Sequence, residues 1–361
     1  MSRRGITLLT AAALALVLGV LAAVLPVPYV ILVPGPPTDT LGAVPGSSTP
    51  VIKVDGAHSY SNGGNLYLTT VGVQPGPCNE HPSLFEAIRA WFDSHDAVEP
   101  HQVICPPDQS SQSVQAQNAN EMSQSQRDAI TAALLYLGYK PVSREVIIAS
   151  VSSSAPSAKV LQDGDIVVAV NGKPVRSPDE LRALVSATGA NAPITVAVKR
   201  GDKTVVLHTT TTSDPSTHRP LLGVQLDQNA TFAKVDVKIG IDPNSVGGPS
   251  AGLMFTLGII DKLTPGGLTG GKTIAGTGTM DGFGQVGPIG GIQQKIAAVT
   301  GYGPSDMPPV HASYFLAPAS ECADAKAAAP SSLVVIRVDT LSTAVAALKA
   351  IKAGSTDYPR C

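Results

Sequence analysis

The sequence predicts an α+β protein that has several domains and one N-terminal transmembrane helix. Three observations lead to this prediction. The chain has 361 residues, which is more than one domain usually contains. Residues 6–25 form an uncharged, mostly apolar run. The rest of the sequence mixes strand-like segments of alternating polarity with segments that carry apolar residues at helical spacing.

The N-terminal run is long enough to cross a bilayer as a helix. Arg3 and Arg4 precede it, and basic residues next to such a helix stay on the cytoplasmic side. We therefore predict that residues 1–33 are a cytoplasmic stub and a single-pass signal anchor in the cell membrane, and that the remainder is extracytoplasmic. A cleaved signal peptide is the alternative, because it has the same basic-then-apolar order.

Composition excludes nucleic acid as a partner. The net charge is −2, the pI is near 6.4 and aromatic residues make up 4 % of the chain. These values give neither a basic surface for phosphates nor stacking platforms for bases. No C-x-x-C motif is present, so no metal site and no cofactor is predicted.

The cysteines number four, and an even count outside the cytoplasm favours disulfides. The preferred pairing is Cys78 with Cys105 and Cys322 with Cys361, because each pair lies within one predicted unit. The two other connectivities and four free thiols remain open.

Residues 34–126 are predicted to form an extracytoplasmic N-terminal region. Residues 51–54 and 65–73 alternate in polarity like strands, and residues 84–92 read as a helix. Residues 109–126 are rich in Ser, Gln and Asn and predict a mobile loop that leads into a helix. Trp91 is expected to lie in the core.

Residues 127–213 contain strands on both sides of the tight-turn signal Asn171-Gly172. With Gly164-Asp165-Ile166 before this turn and Val175 after it, the segment resembles a PDZ domain of bacterial proteases. Such domains add an extended peptide to a sheet edge and hold its terminal carboxylate in a loop of amides. Leu137-Gly138-Tyr139 resembles that loop; a spacer domain with an empty groove is the alternative.

Ser250 stands between glycines, in Gly248-Pro249-Ser250-Ala251-Gly252, and opens the apolar run 253–263. That run predicts a buried helix, whose first turn offers free N–H groups to an oxyanion. The plainer interpretation is that Ser250 only caps the helix.

Lys295 lies at the edge of a helical face formed by Ile292, Ile296 and Val299. Burial against such a face disfavours the ammonium form and lowers the pKa of a lysine, which lets it act as a base. Alternatively, the side chain extends along the core and keeps its charge in water.

The order of these motifs resembles the proteolytic domain of Lon proteases. The matching elements are Pro249–Gly252, Thr277-Gly278, residues 284–291 and Lys295. The resemblance implies that residues 220–361 form a Lon-type α+β domain, with Ser250 as nucleophile, Lys295 as base and Thr277 as a hydroxyl beside the lysine. In the mechanism that we expect, the backbone around Gly248, Pro249 and Ser250 stabilises the oxyanion. Gly247 and Thr279 depart from the aspartate and glutamate common in that family.

Other motif matches in the same stretch are rejected for lack of context. The sequence GGLTGGKT at 266–273 matches the P-loop consensus. A P-loop must follow a strand and open a helix, whereas this stretch follows a predicted helix, so no nucleotide binding is predicted. Residues 282–287 fit a dinucleotide fingerprint without its βαβ unit. The Gly-x-Ser-x-Gly pattern at Ser250 also fits an α/β-hydrolase elbow, for which His311 is the one histidine that follows.

The leading hypothesis is thus a membrane-anchored, extracytoplasmic, ATP-independent serine endopeptidase with a Ser–Lys dyad and a peptide-binding PDZ domain. Its partners are unfolded or flexible protein and peptide substrates, since the chain shows no ATPase motif, and the resemblance implies a homo-oligomer. The alternatives are a PDZ scaffold with an inactive protease domain and an α/β-hydrolase esterase.

Overall fold

A computed structural model describes residues 3–76, 78, 80–107, 109–214, 217, 219–305 and 307–361. The α-helices are α1 Arg3–Val24, α2 Leu84–Phe92, α3 His101–Ile104, α4 Ser111–Tyr136, α5 Pro178–Thr188, α6 Gly252–Leu263, α7 Ile292–Ala298, α8 Cys322–Ala328 and α9 Leu341–Lys352. The strands are β1 Tyr29–Pro34, β2 Thr38–Asp39, β3 Ile52–Asp55, β4 Asn65–Leu68, β5 Val71–Gln74, β6 Ala97–Pro100, β7 Ser143–Val151, β8 Ile166–Val170, β9 Lys173–Pro174, β10 Pro193–Arg200, β11 Lys203–Thr210, β12 Thr212–Ser213, β13 Pro220–Leu221, β14 Val224–Thr231, β15 Asp236–Ile239, β16 Thr273–Gly276, β17 Thr279–Met280, β18 Val286–Gly287, β19 Tyr314–Pro318 and β20 Val334–Val338.

Helix α1 contains a stretch, Thr7–Val24, that is long and apolar enough to cross a membrane. The helix has 22 residues, which corresponds to a length of about 33 Å. A hydrocarbon core is about 30 Å thick. None of the side chains in Thr7–Val24 is buried in the protein, as expected of a membrane anchor or of a signal peptide.

The largest core surrounds α6. This helix is buried on every side, which explains why its sequence is apolar all round. A sheet with the order β2-β4-β16-β19-β20 covers one side of it, and β4, β16, β19 and β20 run parallel. The long helix α4 packs against α6 as well.

The sheet corrects the predicted division into residues 34–126 and 220–361. Strands β2 and β4 belong to the first range, yet they pair in the same sheet as β16. Strand β3 likewise pairs with β15. The region before the PDZ segment is therefore part of the unit that contains Ser250, and parallel pairing between such distant strands leaves no local sequence signal.

Helix α4 corrects a second prediction, because Ser/Gln-rich residues expected to form a loop are helical from Ser111 onward. Ser110 caps the helix by accepting a hydrogen bond from the Ser113 amide. Val114, Met122 and Ala129 are buried along one side. Packing of this side stabilises a helix whose average hydrophobicity is low.

The PDZ-like segment forms a sheet with the order β11-β10-β8-β7-β14, and α5 packs on it. Asn171 and Gly172 both have positive φ, at 49° and 75°, as the predicted two-residue turn requires. Asp165 is 1 % exposed and its carboxylate accepts two hydrogen bonds from Arg200, each 2.7 Å long. Strand β14 lies outside the predicted range 127–213 but completes this sheet.

A small sheet with the order β5-β1-β6 follows α1, together with α2 and α3. Disulfides join Cys78 to Cys105 and Cys322 to Cys361, which are the pairs preferred from the sequence. Trp91, expected in the core, is instead 71 % exposed on α2; the sequence prediction was wrong because α2 buries only its alanines, Ala87 and Ala90.

Candidate functional site

Ser250 lies in the loop just before α6 and is half-buried. Helix α4 fixes this loop through two hydrogen bonds. The Gly248 amide donates to the Asn118 carbonyl at 2.9 Å, and the Ser125 hydroxyl donates to the Pro249 carbonyl at 2.9 Å. Gly248 has a φ of 80°, a conformation that side chains other than glycine rarely adopt.

Thr277 follows β16 and is fully buried. Its hydroxyl donates to the Ser250 carbonyl at 3.1 Å, and the Gly278 amide donates to the same oxygen at 3.0 Å. The main chain of Ser250 is therefore held by two donors from the end of one strand.

Lys295 is 3 % exposed on α7. Its Nζ donates to the Thr277 hydroxyl oxygen at 3.2 Å. Burial lowers the pKa of Lys295 to about 8, and the nearby Glu321 opposes this shift. The amine is thus buried and loses its proton more readily than an ordinary lysine, rather than extending its charge into water.

The structure brings Ser250, Thr277 and Lys295 together from three separate segments. Thr277 connects them, since its single hydroxyl accepts from Lys295 and donates to the Ser250 carbonyl. Within the described residues, the Ser250 hydroxyl has no direct hydrogen bond to Lys295 Nζ.

Gly248 and Pro249 do not have the predicted oxyanion role. The Gly248 amide is already bonded to Asn118, and proline has no N–H group. Within the described structure, the Ser250 and Ala251 amides make no hydrogen bond, and both precede the N-terminus of α6. These two amides are the donors available to an oxyanion.

Sequence reasoning missed Asn118 and Ser125, which position the Ser250 loop, and Glu321, which lies near Lys295. No motif marks them, and they lie on other elements. His311, the histidine of the esterase alternative, packs against Gly301 and has no hydrogen bond to Ser250 in the described structure.

The predicted carboxylate-binding loop forms a helix end instead. The amides of Leu137, Gly138 and Tyr139 donate to the carbonyls of Ala133, Leu135 and Leu134 at 3.0 Å. They therefore terminate α4 and are not free for a peptide carboxylate in this arrangement.

A PDZ domain binds its peptide along a sheet edge, and the edge beside α5 is formed by β14. In the described part of the chain β14 pairs only with β7, so its other edge is without a neighbouring strand. Gly223, with a φ of 73°, turns the chain into this strand. A glycine between apolar residues just before an edge strand was the sequence signal that could have found this edge.

A loop of the Ser250 unit covers the far part of the β14 edge. This loop connects β17 to β18. Gly282 donates to the Asp227 carboxylate at 2.8 Å and accepts from the Gln228 side chain at 3.0 Å. Phe283 lies 6.0 Å from the guanidinium carbon of Arg182 on α5. The uncovered part of the edge is therefore Val224–Leu226.

Two buried carboxyl groups lie beneath this contact. Burial and the Asp227 charge raise the pKa of Asp128 to about 9. Burial also raises the pKa of Asp227, while its hydrogen bonds from Gly282 and Gln228 oppose that shift. Of this pair, Asp128 is therefore the carboxyl for which the protonated form is more strongly favoured.

Comparison with known proteins identifies one part of the chain. The PDZ domain family matches residues 122–211. The PDZ domain of the SdrC-like protein from Listeria monocytogenes is 25 % identical over 22 % of this chain and 85 % of that chain, with a TM-score of 0.22. The corresponding domain from Listeria innocua is 21 % identical over 23 % of this chain and 92 % of that chain, with a TM-score of 0.22.

No curated protein matches the chain. The family match does not extend to Ser250, Thr277 or Lys295. The chain therefore contains a PDZ domain, which the family model matches at residues 122–211.

Proposed function

We propose that the chain is a membrane-anchored, extracytoplasmic serine endopeptidase that works without ATP and uses Ser250 and Lys295. The observation that carries this proposal is the buried Lys295, whose pKa is lowered to about 8 and whose Nζ is joined through Thr277 to the Ser250 backbone. A buried amine with a lowered pKa, beside a serine at a helix N-terminus, has the properties that a Ser–Lys pair requires.

In this mechanism the neutral Lys295 amine takes the proton of the Ser250 hydroxyl as the Oγ attacks the peptide carbonyl. The mechanism requires a rotation of the Ser250 side chain that brings its hydroxyl to Lys295 Nζ, because the two groups make no hydrogen bond in the described structure. The Ser250 and Ala251 amides stabilise the oxyanion. Lys295 then gives its proton to the leaving amine, and a water deprotonated by Lys295 hydrolyses the acyl-enzyme.

The PDZ domain supplies peptide binding. An extended peptide would pair with the edge of β14 at Val224–Leu226, between that strand and α5. The β17–β18 loop covers the rest of this edge. A bound segment would therefore end close to β17, which directly follows Thr277 and Gly278 in the chain. Flexible or unfolded chains suit such a site, because no ATP-driven unfolding step is proposed.

The test is cleavage of unfolded casein by the full chain in phospholipid nanodiscs, without nucleotide. Ser250→Ala and Lys295→Met are expected to abolish cleavage, whereas Ser245→Ala, which changes an exposed serine of the same loop, keeps it. Equal cleavage by the parent and both site variants would overturn the proposal.

A second function is a peptide-binding scaffold whose protease domain is inactive. It is favoured by the missing direct hydrogen bond between the Ser250 hydroxyl and Lys295 in the described structure. A fluorophosphonate that labels serine nucleophiles separates the two: labelling of the parent but not of Ser250→Ala supports the peptidase, and no labelling of either supports the scaffold.

A further inference from the structure

Helix α2 exposes an apolar face. Phe85 is 59 %, Ile88 46 %, Trp91 71 % and Phe92 85 % exposed. Their spacing places them on one side of the helix, opposite the buried Ala87 and Ala90. Four large apolar side chains on so short a helix are unusual on a surface that faces water.

This face lies where the apolar helix α1 ends. The Leu84 amide donates to the Leu25 carbonyl at 2.9 Å, and the Val27 amide donates to the Pro82 carbonyl at 3.0 Å. Two backbone hydrogen bonds therefore attach the start of α2 to the residues that directly follow α1. Helix α2 cannot move far from the point where α1 would leave the bilayer.

A further exposed apolar residue lies on α3, which is also attached to the segment after α1. Val103, on α3, is 61 % exposed. The His101 amide that opens α3 donates to the Pro28 carbonyl at 3.1 Å, so α3 is also tied to the segment after α1. Tryptophan and phenylalanine next to the end of a membrane span are suited to the headgroup region.

We propose that α2 lies flat in the headgroup region of the bilayer that α1 spans, with Phe85, Ile88, Trp91 and Phe92 inserted toward the acyl chains. This inference rests on the membrane anchor of the proposed function. It commits to lipid because the face is continuous with α1, and a face of this polarity on a helix parallel to a membrane is how interfacial helices bind.

Docking of α2 would hold the β5-β1-β6 sheet at the membrane surface. The α7 helix, which carries Lys295, packs against β1 of that sheet. The peptidase site would then be kept at a fixed height above the bilayer instead of swinging on a flexible stalk.

Trp91 is the only tryptophan of the chain, so its fluorescence reports on α2 alone. The full chain is reconstituted into vesicles of phosphatidylcholine and phosphatidylglycerol and floated on a density gradient. Vesicles with acyl chains brominated near the headgroup are compared with unbrominated ones. We expect blue-shifted Trp91 emission that is lost in the brominated vesicles and is insensitive to iodide in the water.

The other outcomes of this experiment each overturn the docking of α2. Protein that floats but shows red-shifted, iodide-quenched emission keeps the anchor and overturns the docking of α2. Blue-shifted emission that depends on protein density and not on bromination would indicate a second copy or another protein on this face, and also overturns it. Protein that does not float overturns both anchor and docking, whereas casein cleavage still tests the peptidase separately.

Variants make the assignment specific. Phe85→Ser with Phe92→Ser should shift the Trp91 emission to the red and reduce the loss on bromination. Val142→Ser removes another exposed apolar side chain, 66 % exposed at the start of the PDZ sheet, and should leave both signals unchanged.

Discussion

The titration of Lys295 gives the most direct prediction for the peptidase. Its pKa is lowered from 10.5 to about 8 by burial. At pH 7 about one lysine in ten is then neutral, whereas an amine with its ordinary pKa would be neutral about 300-fold less often, a difference of roughly 3 kcal/mol. Burial in the fold therefore raises the fraction of neutral Lys295 that can act as a base.

The assay is kcat/KM for a short fluorogenic peptide between pH 6 and pH 10. We expect kcat/KM to rise about tenfold per pH unit and to level off above about pH 8, because only the neutral amine acts as a base. Lys295→Arg, which stays charged throughout, should be inactive at every pH. A flat profile, or an inflection near the ordinary pKa of histidine, would refute the role of Lys295.

The same shift predicts the sign of a stability change. Because the pKa of Lys295 is lower in the folded than in the unfolded chain, the unfolded chain binds the additional proton between about pH 8 and pH 10.5. The contribution of this group to stability is complete above that window and is lost as the pH falls through it. Replacing Lys295 by Met should remove this dependence and raise stability at pH 7.

The remaining predictions concern three positions. Thr277→Val should lower kcat/KM about 10- to 100-fold, because Lys295 and the Ser250 carbonyl each lose a hydrogen bond to the Thr277 hydroxyl. Thr277→Ser, which keeps the hydroxyl, should keep the activity. Equal rates for the two variants would contradict the connection through Thr277. Asp128→Asn should raise the free energy of unfolding by about 1–3 kcal/mol at pH 8 and have little effect at pH 4. The reason is that the unfolded carboxyl ionises above about pH 4 while the buried one resists ionisation, so stability is lost as the pH rises toward about 9. A pH-independent change in thermal unfolding would contradict the raised pKa of Asp128. Gly223→Ala should destabilise the PDZ domain by about 2–4 kcal/mol, because the new Cβ would lie 2.3 Å from the Ala155 Cβ. The matched control is Gly201→Ala, which is also at positive φ but in open space. An equal loss of unfolding free energy in both variants, measured by denaturant titration, would refute the clash.

Local patterns predicted the elements that depend on local chemistry. The Asn171-Gly172 turn, the strands of the PDZ sheet and the buried helix after Ser250 each follow from residues within a few positions. Burial of Lys295 also followed from the apolar face that it shares with Ile292 and Ile296.

Long-range pairing could not be predicted. Nothing in the sequence of β4 indicates that its parallel neighbour is β16. The first part of helix α4 was predicted as a loop for a related reason, because its stability comes from packing on α6 and not from its own composition. Trp91 was misplaced because α2 packs through the small side chains of Ala87 and Ala90 and leaves its large apolar side chains exposed.

The pairing of Ser143 with Thr231 has a consequence for synthesis of the chain. These residues are the first of β7 and the last of β14, so the polypeptide enters and leaves the PDZ sheet at neighbouring points. The PDZ residues can fold as soon as Thr231 has been made, before β16 exists. Their folding draws Val142 and Phe232 together and shortens the free chain between β4 and β16. The entropy cost of closing the parallel sheet is then smaller, because a long loop has already become a compact insert.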